Sequence, residues 1–429
     1  MHNLSNITTS STRSKTTYLP WLIWFLGAFF YFYENLIQVS PGVMVHDLMR
    51  DLSMDAGQLG ILAGFFFYTY APIQIPAGVL ADHYSVRSLL ITAILLCTLG
   101  CAFFATSHNM WQASCGRLLI GLGSGFAAIC SMKLATLLFP PRRFPFFVGL
   151  MVTLGMTGSI MGGGPLAVMI DSIGWRITLY ALALLGLILT VFVVWLVKIK
   201  QPNQENAGDE VAKLASEKTH ILHGLKQVLS CKSSWIIAGY GGLMFAPTSI
   251  FGGLWGVPFI MRAYTLDKPT AASLVSLLFL GWVIGGPLTG FLAGLFKTKR
   301  PIMLAGSLGA LISIALILYA PHLPLSVLGF LIFIFGLASS CLLPAFSLIK
   351  EIHDEAHSGA ALGFMNTANM IGGAVGLPLV GFLLNHTWDG DMLDGMKIYS
   401  TSNYMHSLSL LPMMFLISFT LLFYIKETK

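Results

Sequence analysis

Residues 18–45 have the sequence YLPWLIWFLGAFFYFYENLIQVSPGVMV, in which Glu34 is the only charged residue. As a helix rising about 1.5 Å per residue, this stretch is long enough to cross a bilayer core about 30 Å thick. Eleven further apolar stretches follow, so the sequence predicts an all-α membrane protein with twelve transmembrane helices. The predicted spans are Tyr18–Val45, Leu59–Ala81, Ser88–Ala105, Met110–Leu138, Phe144–Ile170, Trp175–Val197, Trp235–Met261, Ala271–Phe296, Pro301–Ala320, Leu323–Ile349, Gly359–Leu384 and Tyr404–Ile425.

The composition leaves little material for a soluble domain. Hydrophobic residues make up 55% and charged residues 10% of the chain, and its 44 glycines suit close packing of helices in lipid. The longest polar interval separates the spans into six and six. We therefore predict a tail (1–17), an N-terminal six-helix bundle (18–197), a linker (198–234), a C-terminal six-helix bundle (235–425) and a short second tail (426–429).

The basic residues predict the orientation. With the amino terminus placed inside, seventeen Lys and Arg fall in the tails, the linker and the inner loops, and two lie within the fourth span. The five on the outer side are Arg50, Arg176, Arg262, Lys268 and Lys397. This bias predicts that both termini and the linker are cytoplasmic, which in a bacterium means the inner (plasma) membrane. The net charge of +6 therefore reflects topology, and no basic stripe indicates nucleic acid.

No constellation of residues indicates catalysis or metal binding. The six cysteines lack paired CxxC spacing, and the glycine-rich run Gly121–Gly125 follows no strand and lies inside an apolar span. We therefore predict no enzymatic activity, no cofactor and no metal site. The expected partners are the lipid bilayer and a small-molecule substrate, with protons as an open case, and we expect a monomer.

The two halves of the chain resemble each other. A shift of about 212 residues lays Gly78-Val79-Leu80-Ala81-Asp82 over Gly290-Phe291-Leu292-Ala293-Gly294, in each case after the second span of a half. A shift of 213 superposes Gly123 on Gly336 and Pro165 on Pro378. Parallel duplication of six spans is typical of carriers that rock around a central cavity.

Three motifs give this duplication a family resemblance. Gly78-x-x-x-Asp82-x-x-x-x-Arg87 resembles the loop between the second and third helices of the major facilitator superfamily, although Tyr84-Ser85-Val86 departs from its pattern. Arg117-x-x-x-Gly121-x-Gly123 and Gly174-Trp175-Arg176 resemble its motifs in the fourth and sixth helices. The resemblance implies twelve transmembrane helices in two pseudo-symmetric six-helix bundles, the major facilitator fold, with transport by alternating access.

A narrower resemblance rests on the first two helices. Tyr31-Phe32-Tyr33, the run from Gln38 to Met44 and the run from Tyr68 to Gly78 are similar to the proteobacterial intraphagosomal amino-acid transporters, which are related to lysosomal dipeptide carriers. This resemblance implies a small substrate derived from amino acids. We therefore expect an amino acid or a short peptide as the substrate.

A polar stripe in the first helix carries the candidate chemistry. Tyr31, Glu34, Asn35 and Gln38 follow each other at i, i+3, i+4 and i+7, so one face of an apolar helix presents a carboxylate, two amides and a phenol. Because a charge in the bilayer is costly, this face should line the cavity or meet a partner. Arg117 lies at a depth that permits pairing with Glu34. Glu34 is either a substrate-amine contact and proton carrier or one member of a structural salt bridge, and Arg117 either orders it or binds a substrate carboxylate.

Other polar residues are candidates for substrate binding. For the candidates of the second helix, the alternative interpretation is aromatic packing or a proline-bent helix. For the two asparagines of the eleventh helix, it is hydrogen bonding to a neighbouring helix. The candidates are Tyr68 and Gln74 in the second helix, Tyr240 in the seventh, and Asn366 and Asn369 in the eleventh.

A second set predicts a gate at the inner face. Asp82 can favour one conformation by pairing with Arg87 or by facing a helix amino terminus, and Arg142 and Arg143 can join it. A topology anchor is the simpler alternative. The predicted gating residues are Gly78, Asp82, Arg87, Arg142 and Arg143.

Together these features predict a secondary active transporter of a small nutrient, with proton coupling or facilitated diffusion left open. Two alternatives remain: an exporter or importer of another compound, such as a drug, nucleoside or siderophore, and a membrane sensor on a carrier scaffold. Ile160, Val168 and Met169 stand where drug antiporters of the superfamily carry glycines, which weakens the exporter alternative.

Overall fold

The computed structural model describes residues 18–198, 226–295, 298–320, 322–354, 357–393 and 395–425, except for the side chains of Ile75 and Asp82. Both predicted tails and most of the predicted linker lie outside this part of the chain. Where it is described, the chain is almost entirely helical.

Twelve helices of membrane-spanning length follow one another. Eleven combine sufficient length and hydropathy, and the twelfth, Ala56–His83, contributes 28 residues interrupted by Pro72 and Pro76. They are α1 (Leu19–Val43), α2 (Ala56–His83), α3 (Val86–Ala105), α4 (Met110–Leu138), α5 (Pro141–Ile173), α6 (Trp175–Leu196), α7 (Lys232–Tyr264), α8 (Lys268–Leu295), α9 (Arg300–Tyr319), α10 (Leu325–Glu351), α11 (Ser358–His386) and α12 (Thr401–Leu421). A short helix, Val45–Asp51, follows α1, and a two-stranded hairpin, β1 (Met392–Leu393) and β2 (Met396–Lys397), precedes α12.

Two helices begin before their apolar stretches because polar residues cap them. The Asp55 carboxylate accepts from the Gln58 amide nitrogen at 2.9 Å, while the Gln58 side chain accepts from the Asp55 backbone nitrogen at 3.1 Å. Ser400 and Asn403 form the same capping box at the start of α12. Such boxes satisfy backbone donors that the first helical turn leaves unpaired. Hydropathy therefore located these two spans but placed their first residues three positions late.

Several of the described helices are interrupted within the bundle. α4 is interrupted at Gly125 and Phe126, α5 at Gly162 and Gly163, and α10 by the 3₁₀ turn Ser340–Leu342. In α7, the residues after Pro247 form a π-helix, Thr248–Trp255, and such segments are frequent at functional sites.

The two halves repeat one crossing almost residue for residue. A Cβ added at Gly121 of α4 would collide with the Phe66 carbonyl of α2, and one added at Gly336 of α10 would collide with the Leu278 carbonyl of α8. Phe66 and Leu278 are 212 positions apart, whereas Gly121 and Gly336 are 215 apart. The superposition of Gly123 on Gly336 was therefore wrong by two residues, because the register in α4 and α10 is set by this contact.

The halves meet along two pseudo-equivalent crossings, α2 with α11 and α5 with α8. Gly60 packs on Leu377 and Pro378, where an added Cβ would lie 2.5 Å from the Leu377 oxygen, and Gly381 packs on Ala56. In the other crossing, a Cβ added at Gly163 of α5 would lie 2.1 Å from Ser276 Oγ of α8. These contacts all lie toward the face opposite the start of α1, which we call the far face.

The other face, at which α1 begins and α12 ends, we call the terminal face. Five glycines lie toward it in the helices that form the seam, and a Cβ added at any of them would meet no atom within 4 Å. They are Gly78 in α2, Gly149 in α5, Gly290 and Gly294 in α8, and Gly359 in α11. Among the described residues, the halves are thus in close contact at the far face, whereas these five glycines of the seam helices have no close neighbour toward the terminal face.

Candidate functional site

The buried arginine of α4 is held by the end of α1. Pro41 has no backbone N–H, so the Ile37 carbonyl lacks the donor that an α-helix would supply four residues later. Arg117 Nη1 donates to that oxygen at 3.0 Å, and Nη2 donates to the Gln38 oxygen at 3.2 Å. The guanidinium also lies 5.1 Å from the centre of the Phe66 ring. Arg117 therefore ties α4 to the point at which α1 changes to a 3₁₀ turn.

The Glu34 carboxyl group is enclosed without a cationic partner. Its side chain is buried, Oε1 accepts from Asn35 Nδ2 at 3.0 Å, and Oε2 has no hydrogen-bond partner among the described residues. Asn35 also donates to the Tyr31 carbonyl oxygen at 2.8 Å. Since the Arg117 donors are directed to carbonyls of α1, the predicted pairing of Glu34 with Arg117 is not formed in this structure.

A small cavity lies where the two halves meet near Arg117. Its volume is about 40 Å³, which suits one or two water molecules. Asn35, Gln38 and Arg117 contribute polar groups from the N-terminal half, and Thr248 and Ser249 contribute hydroxyls from the C-terminal half. The remaining lining residues are Val39, Ala63, Phe67, Met156, Ser159, Phe245, Gly253, Phe279 and Leu377. We call this space the central cavity.

The hydroxyl groups of α7 and α5 were missed in the sequence. Thr248 and Ser249 open the π-helix of α7, and Trp282 Nε1 donates to Thr248 Oγ1 at 3.3 Å. Ser159 lies in α5, just before its break. The signal that points to α7 is Pro247 followed by two hydroxyl residues and the pair Gly252-Gly253, which is unusual inside an apolar span.

The predicted substrate residues divide between the seam and the bundle interior. Tyr31 packs on Gly155 of α5, Tyr68 is 42% exposed, and Gln74 is half-buried next to Tyr70. Tyr240 does not reach the central cavity, because its hydroxyl faces the Met303 and Cys341 carbonyls at 3.5 and 3.3 Å inside the C-terminal bundle.

The two asparagines of α11 also lie away from the central cavity. Asn369 is buried against Gly241 of α7, and its Oδ1 has no described partner. Asn366 is half-buried and is not part of the cavity lining. The close approach of Asn369 to α7 fits contact between helices better than contact with a ligand.

The predicted gating residues lie at the terminal face. Arg87 Nη2 donates to the Val194 oxygen of α6 at 2.7 Å, which ties α3 to α6. Arg142 and Arg143 lie in the exposed 3₁₀ turn that begins α5, and a Cβ added at Gly78 would meet no described atom within 4 Å. The Asp82 side chain lies outside the described residues, so its pairing stays a prediction.

Ion pairs join the halves at the far face. Lys268, at the start of α8, lies 2.9 Å from an Asp47 oxygen and 2.8 Å from an Asp171 oxygen, and both acids belong to the N-terminal half. Lys397 lies 3.9 Å from Asp55 across the same seam. All five basic residues predicted for the outer side lie at this face.

The Gly174-Trp175-Arg176 motif has a local structural role at the far face. Gly174 adopts a φ of 80°, and the two residues after it bring donors to Asp51, Trp175 Nε1 at 2.8 Å and Arg176 Nη1 at 2.9 Å. Burial opposes ionisation of this carboxyl group, but the hydrogen bonds from Arg50, Trp175 and Arg176 outweigh it and hold the pKa of Asp51 below its usual value. The motif therefore fixes α6 to the short helix after α1.

Comparison with known proteins decides the family. A sequence model of the Major Facilitator Superfamily matches residues 23–255 and again residues 237–428, which together cover nearly the whole chain. The chain belongs to the Major Facilitator Superfamily. This membership confirms the predicted fold, and it makes the protein a secondary transporter and an integral multi-pass membrane protein.

Individual members of the superfamily are distant in sequence. The hexuronate transporter of Bacillus subtilis (strain 168) is 24% identical over 364 residues, covering 79% of this chain and 82% of that protein. The gentisate transporter of Corynebacterium glutamicum is 22% identical over 394 residues, covering 90% of this chain and 85% of that protein. A crystal structure of a bacterial homolog of the human lysosomal transporter Spinster, inward-facing and unoccupied, superposes with a TM-score of 0.79 at 15% identity, covering 96% of this chain and 97% of that one.

Proposed function

We propose that this transporter takes up a small organic carboxylate that also carries hydroxyl groups. The observation that carries the proposal is Arg117, a buried guanidinium that lines the central cavity and has an Nε without a described partner. A guanidinium is the side chain best suited to a carboxylate, because its donors match the two oxygens. The transport of hexuronate and of gentisate by the two relatives supports the same class, since both compounds are hydroxylated carboxylates.

An amino acid or a short peptide, the expectation from the first two helices, has less support. A zwitterion needs an anionic partner for its amine in addition to a cation for its carboxylate. Glu34 is the only acid of the first helix, and it is buried behind Asn35 and is not part of the cavity lining. Hydroxyl and amide groups line the cavity instead, and these suit a polyhydroxylated or phenolic acid.

The substrate has to enter a larger space than the one now closed around Arg117. A volume of about 40 Å³ is too small for a sugar acid, and the uncrowded seam glycines toward the terminal face support an opening on that side. The excess of Lys and Arg in the loops of that face supports a cytoplasmic position for it, and in the proposed cycle this conformation releases substrate to the cytoplasm. Alternating access to the far face completes an uptake cycle by a monomer.

Glu34 supplies the coupling group in this proposal. An ionised carboxylate enclosed in protein without a cation is unfavourable, so Glu34 carries a proton in this conformation. When α1 moves against α4 and α5, water reaches the carboxyl group and the proton leaves. Proton symport then follows from the single acid on the polar stripe of α1.

Substrate class is tested by uptake into proteoliposomes that have an inward proton gradient. Radiolabelled glucuronate and gentisate serve as probes, and unlabelled leucine, alanyl-alanine and uridine serve as competitors, with gentisamide as a neutral analogue of gentisate. We expect saturable uptake of at least one acid, no inhibition by the amide, and none by the other competitors. Uptake of labelled leucine or alanyl-alanine, with no uptake of either acid, would replace the carboxylate by an amino-acid substrate.

A further inference from the structure

A second cavity lies at the far face and shares no residue with the central cavity. Its volume is about 420 Å³, within the range of small-molecule sites. It is enclosed by the end of α7, the β1–β2 hairpin, the start of α12 and the short helix Val45–Asp51. We call it the far-face cavity.

One wall of the far-face cavity is apolar and open to water. Met49, Met261, Leu266, Leu393 and Met396 line it, and Leu393 is 58% exposed. An apolar surface of this kind, with polar groups at its margin, is typical of a ligand site. The hairpin that carries Leu393 and Met396 places them over the cavity.

The polar groups of the far-face cavity favour an anion. Arg262 is exposed and has no ion pair with any described residue, whereas Lys397 is shared with Asp55 and lies 4.8 Å from the centre of the Trp388 ring. Asp267, the one acid in the lining, accepts from the Thr270 backbone nitrogen at 3.1 Å and caps α8. A positive charge without a counter-ion thus stands beside an apolar wall.

His46 adds a polar group that can donate or accept a hydrogen bond. Desolvation, together with the charges of Lys268 and Arg262, holds its pKa below the usual value against the opposing charge of Asp47. The imidazole is therefore neutral at pH 7. Tyr399 and Tyr404 complete the polar margin.

The far-face cavity has walls from both halves. His46 and Met49 belong to the N-terminal half, and all other lining residues belong to the C-terminal half. The Lys268 ion pairs with Asp47 and Asp171 close the seam beside it. A ligand that contacts both walls binds this conformation and not one in which the far face has opened, so it shifts the equilibrium toward the closed far face.

We propose that the far-face cavity is a regulatory site for a small amphipathic carboxylate, anchored by Arg262, which slows transport by holding the far face closed. Its ligand has an apolar body against Met49, Leu393 and Met396 and a carboxylate on the guanidinium. This site is separate from the one that moves substrate. It depends on alternating access but not on which compound is carried.

The test uses benzoate as the probe and benzamide as its neutral analogue, with binding to the purified full-length protein measured by titration calorimetry. We expect benzoate to bind and benzamide to bind at least tenfold more weakly. Arg262→Gln should weaken benzoate binding about 10- to 100-fold, the loss typical of a charged hydrogen bond. Leu393→Trp, on the exposed hairpin, should fill the cavity and weaken binding without disturbing the core.

Two control variants separate this site from the central cavity and from general electrostatics. Gln38→Ala alters the central cavity, and Lys350→Gln removes an exposed cation from the terminal face. Both should leave benzoate affinity within about twofold of the original, as remote substitutions usually do. In proteoliposomes, benzoate added at the far face should lower the maximal uptake rate, and Arg262→Gln should abolish this inhibition.

Several results would overturn the proposal. Benzoate affinity unchanged in both Arg262→Gln and Leu393→Trp would exclude the far-face cavity as its site. Affinity lost in Gln38→Ala alone would place the ligand in the central cavity. Absence of binding at millimolar benzoate would remove the site. Binding that depends on Arg262 but leaves the uptake rate unchanged would remove its regulatory role. Loss of the far-face site would leave the substrate class untouched, because the uptake competition tests that class separately, whereas benzoate binding in the central cavity would agree with a carboxylate substrate.

Discussion

The first helix of each half contains a proline at which the α-helix is interrupted, but the two interruptions differ. In α1, Pro41 lacks a backbone donor, and the chain tightens into the 3₁₀ turn Ser40–Val43. Arg117 donates to the Ile37 carbonyl, which lies just before that turn. In α7, Pro247 is followed by a wider π-helix, which presents Thr248 and Ser249 to the central cavity without any charged group. Proline thus causes a tightened turn on one side of the seam and a loosened one on the other.

This difference assigns different tasks to the two halves. The N-terminal half holds both buried charged side chains, Glu34 and Arg117, and the C-terminal half offers neutral hydroxyl groups to the same cavity. The proposed charge recognition and the proposed proton binding therefore both fall in the N-terminal half. The C-terminal half supplies hydrogen bonds and, at the far face, the cation Lys268 that locks it to its neighbour.

The largest effect is expected from Arg117→Gln. The Gln38 carbonyl would lose its Arg117 donor, whereas the Ile37 carbonyl would keep only Ser40 Oγ, which donates to it at 2.9 Å. An unsatisfied buried acceptor costs about 1–3 kcal/mol. We expect uptake to fall about 100-fold or more and the thermal unfolding temperature of the purified protein to drop. Arg117→Lys should recover only part of either loss, because a compact ammonium group cannot reach both oxygens in the same geometry.

Restoring the missing donor provides a sharp control for that prediction. Pro41→Ala returns a backbone N–H that can bind the Ile37 oxygen. In the double variant Pro41→Ala, Arg117→Gln, thermal stability should recover in part, while uptake should stay low if the guanidinium also binds substrate. Recovery of both would limit Arg117 to a structural role.

The sequence predicted the fold but not this contact. Twelve apolar stretches, a duplicated glycine pattern and the loop motif at Gly78 were sufficient for the architecture, since hydropathy and backbone satisfaction leave few alternatives in lipid. The partner of Arg117 could not be predicted, because it is a carbonyl exposed by Pro41 on another helix rather than a charged side chain. Tyr240 was assigned to the cavity because an isolated polar residue in an apolar helix fits either a cavity or a bundle interior.

A second prediction concerns the proton that we propose for Glu34. Glu34→Gln keeps the size of the side chain and an oxygen that can accept from Asn35 Nδ2, but it cannot release a proton. We expect uptake to fall about tenfold, equivalent to about 1.4 kcal/mol, and to lose its dependence on the proton gradient. The measurement is initial uptake into proteoliposomes with and without an imposed pH difference.

Glu351→Gln is the matched control for that variant. Glu351 pairs with Lys299 at the terminal face, far from the polar stripe of α1, so its loss should leave the response to the pH gradient intact. If Glu34→Gln transports at full rate and its uptake still depends on the pH gradient, Glu34 is not the proton-coupling residue. Proton binding can then no longer be assigned to Glu34 in the N-terminal half.

The smallest effect is expected from the ion pairs that join the two halves at the far face. Lys268→Asp would set three acids together in place of the pairs with Asp47 and Asp171, which favours opening of that face. Since partly exposed ion pairs contribute up to about 1 kcal/mol each, we expect a shift of about 3- to 10-fold in the population with an open far face.

A cysteine introduced at Ser276, which is buried in the closed seam, would report the shift by its rate of labelling with a membrane-impermeant maleimide. The charge swap Lys268→Asp, Asp47→Lys rebuilds one pair in the opposite sense and should return the labelling rate toward that of the parent. Equal labelling in the parent, the single variant and the swap would mean that apolar packing of α2 on α11 and of α5 on α8 closes the far face by itself, so that the C-terminal half contributes no electrostatic lock.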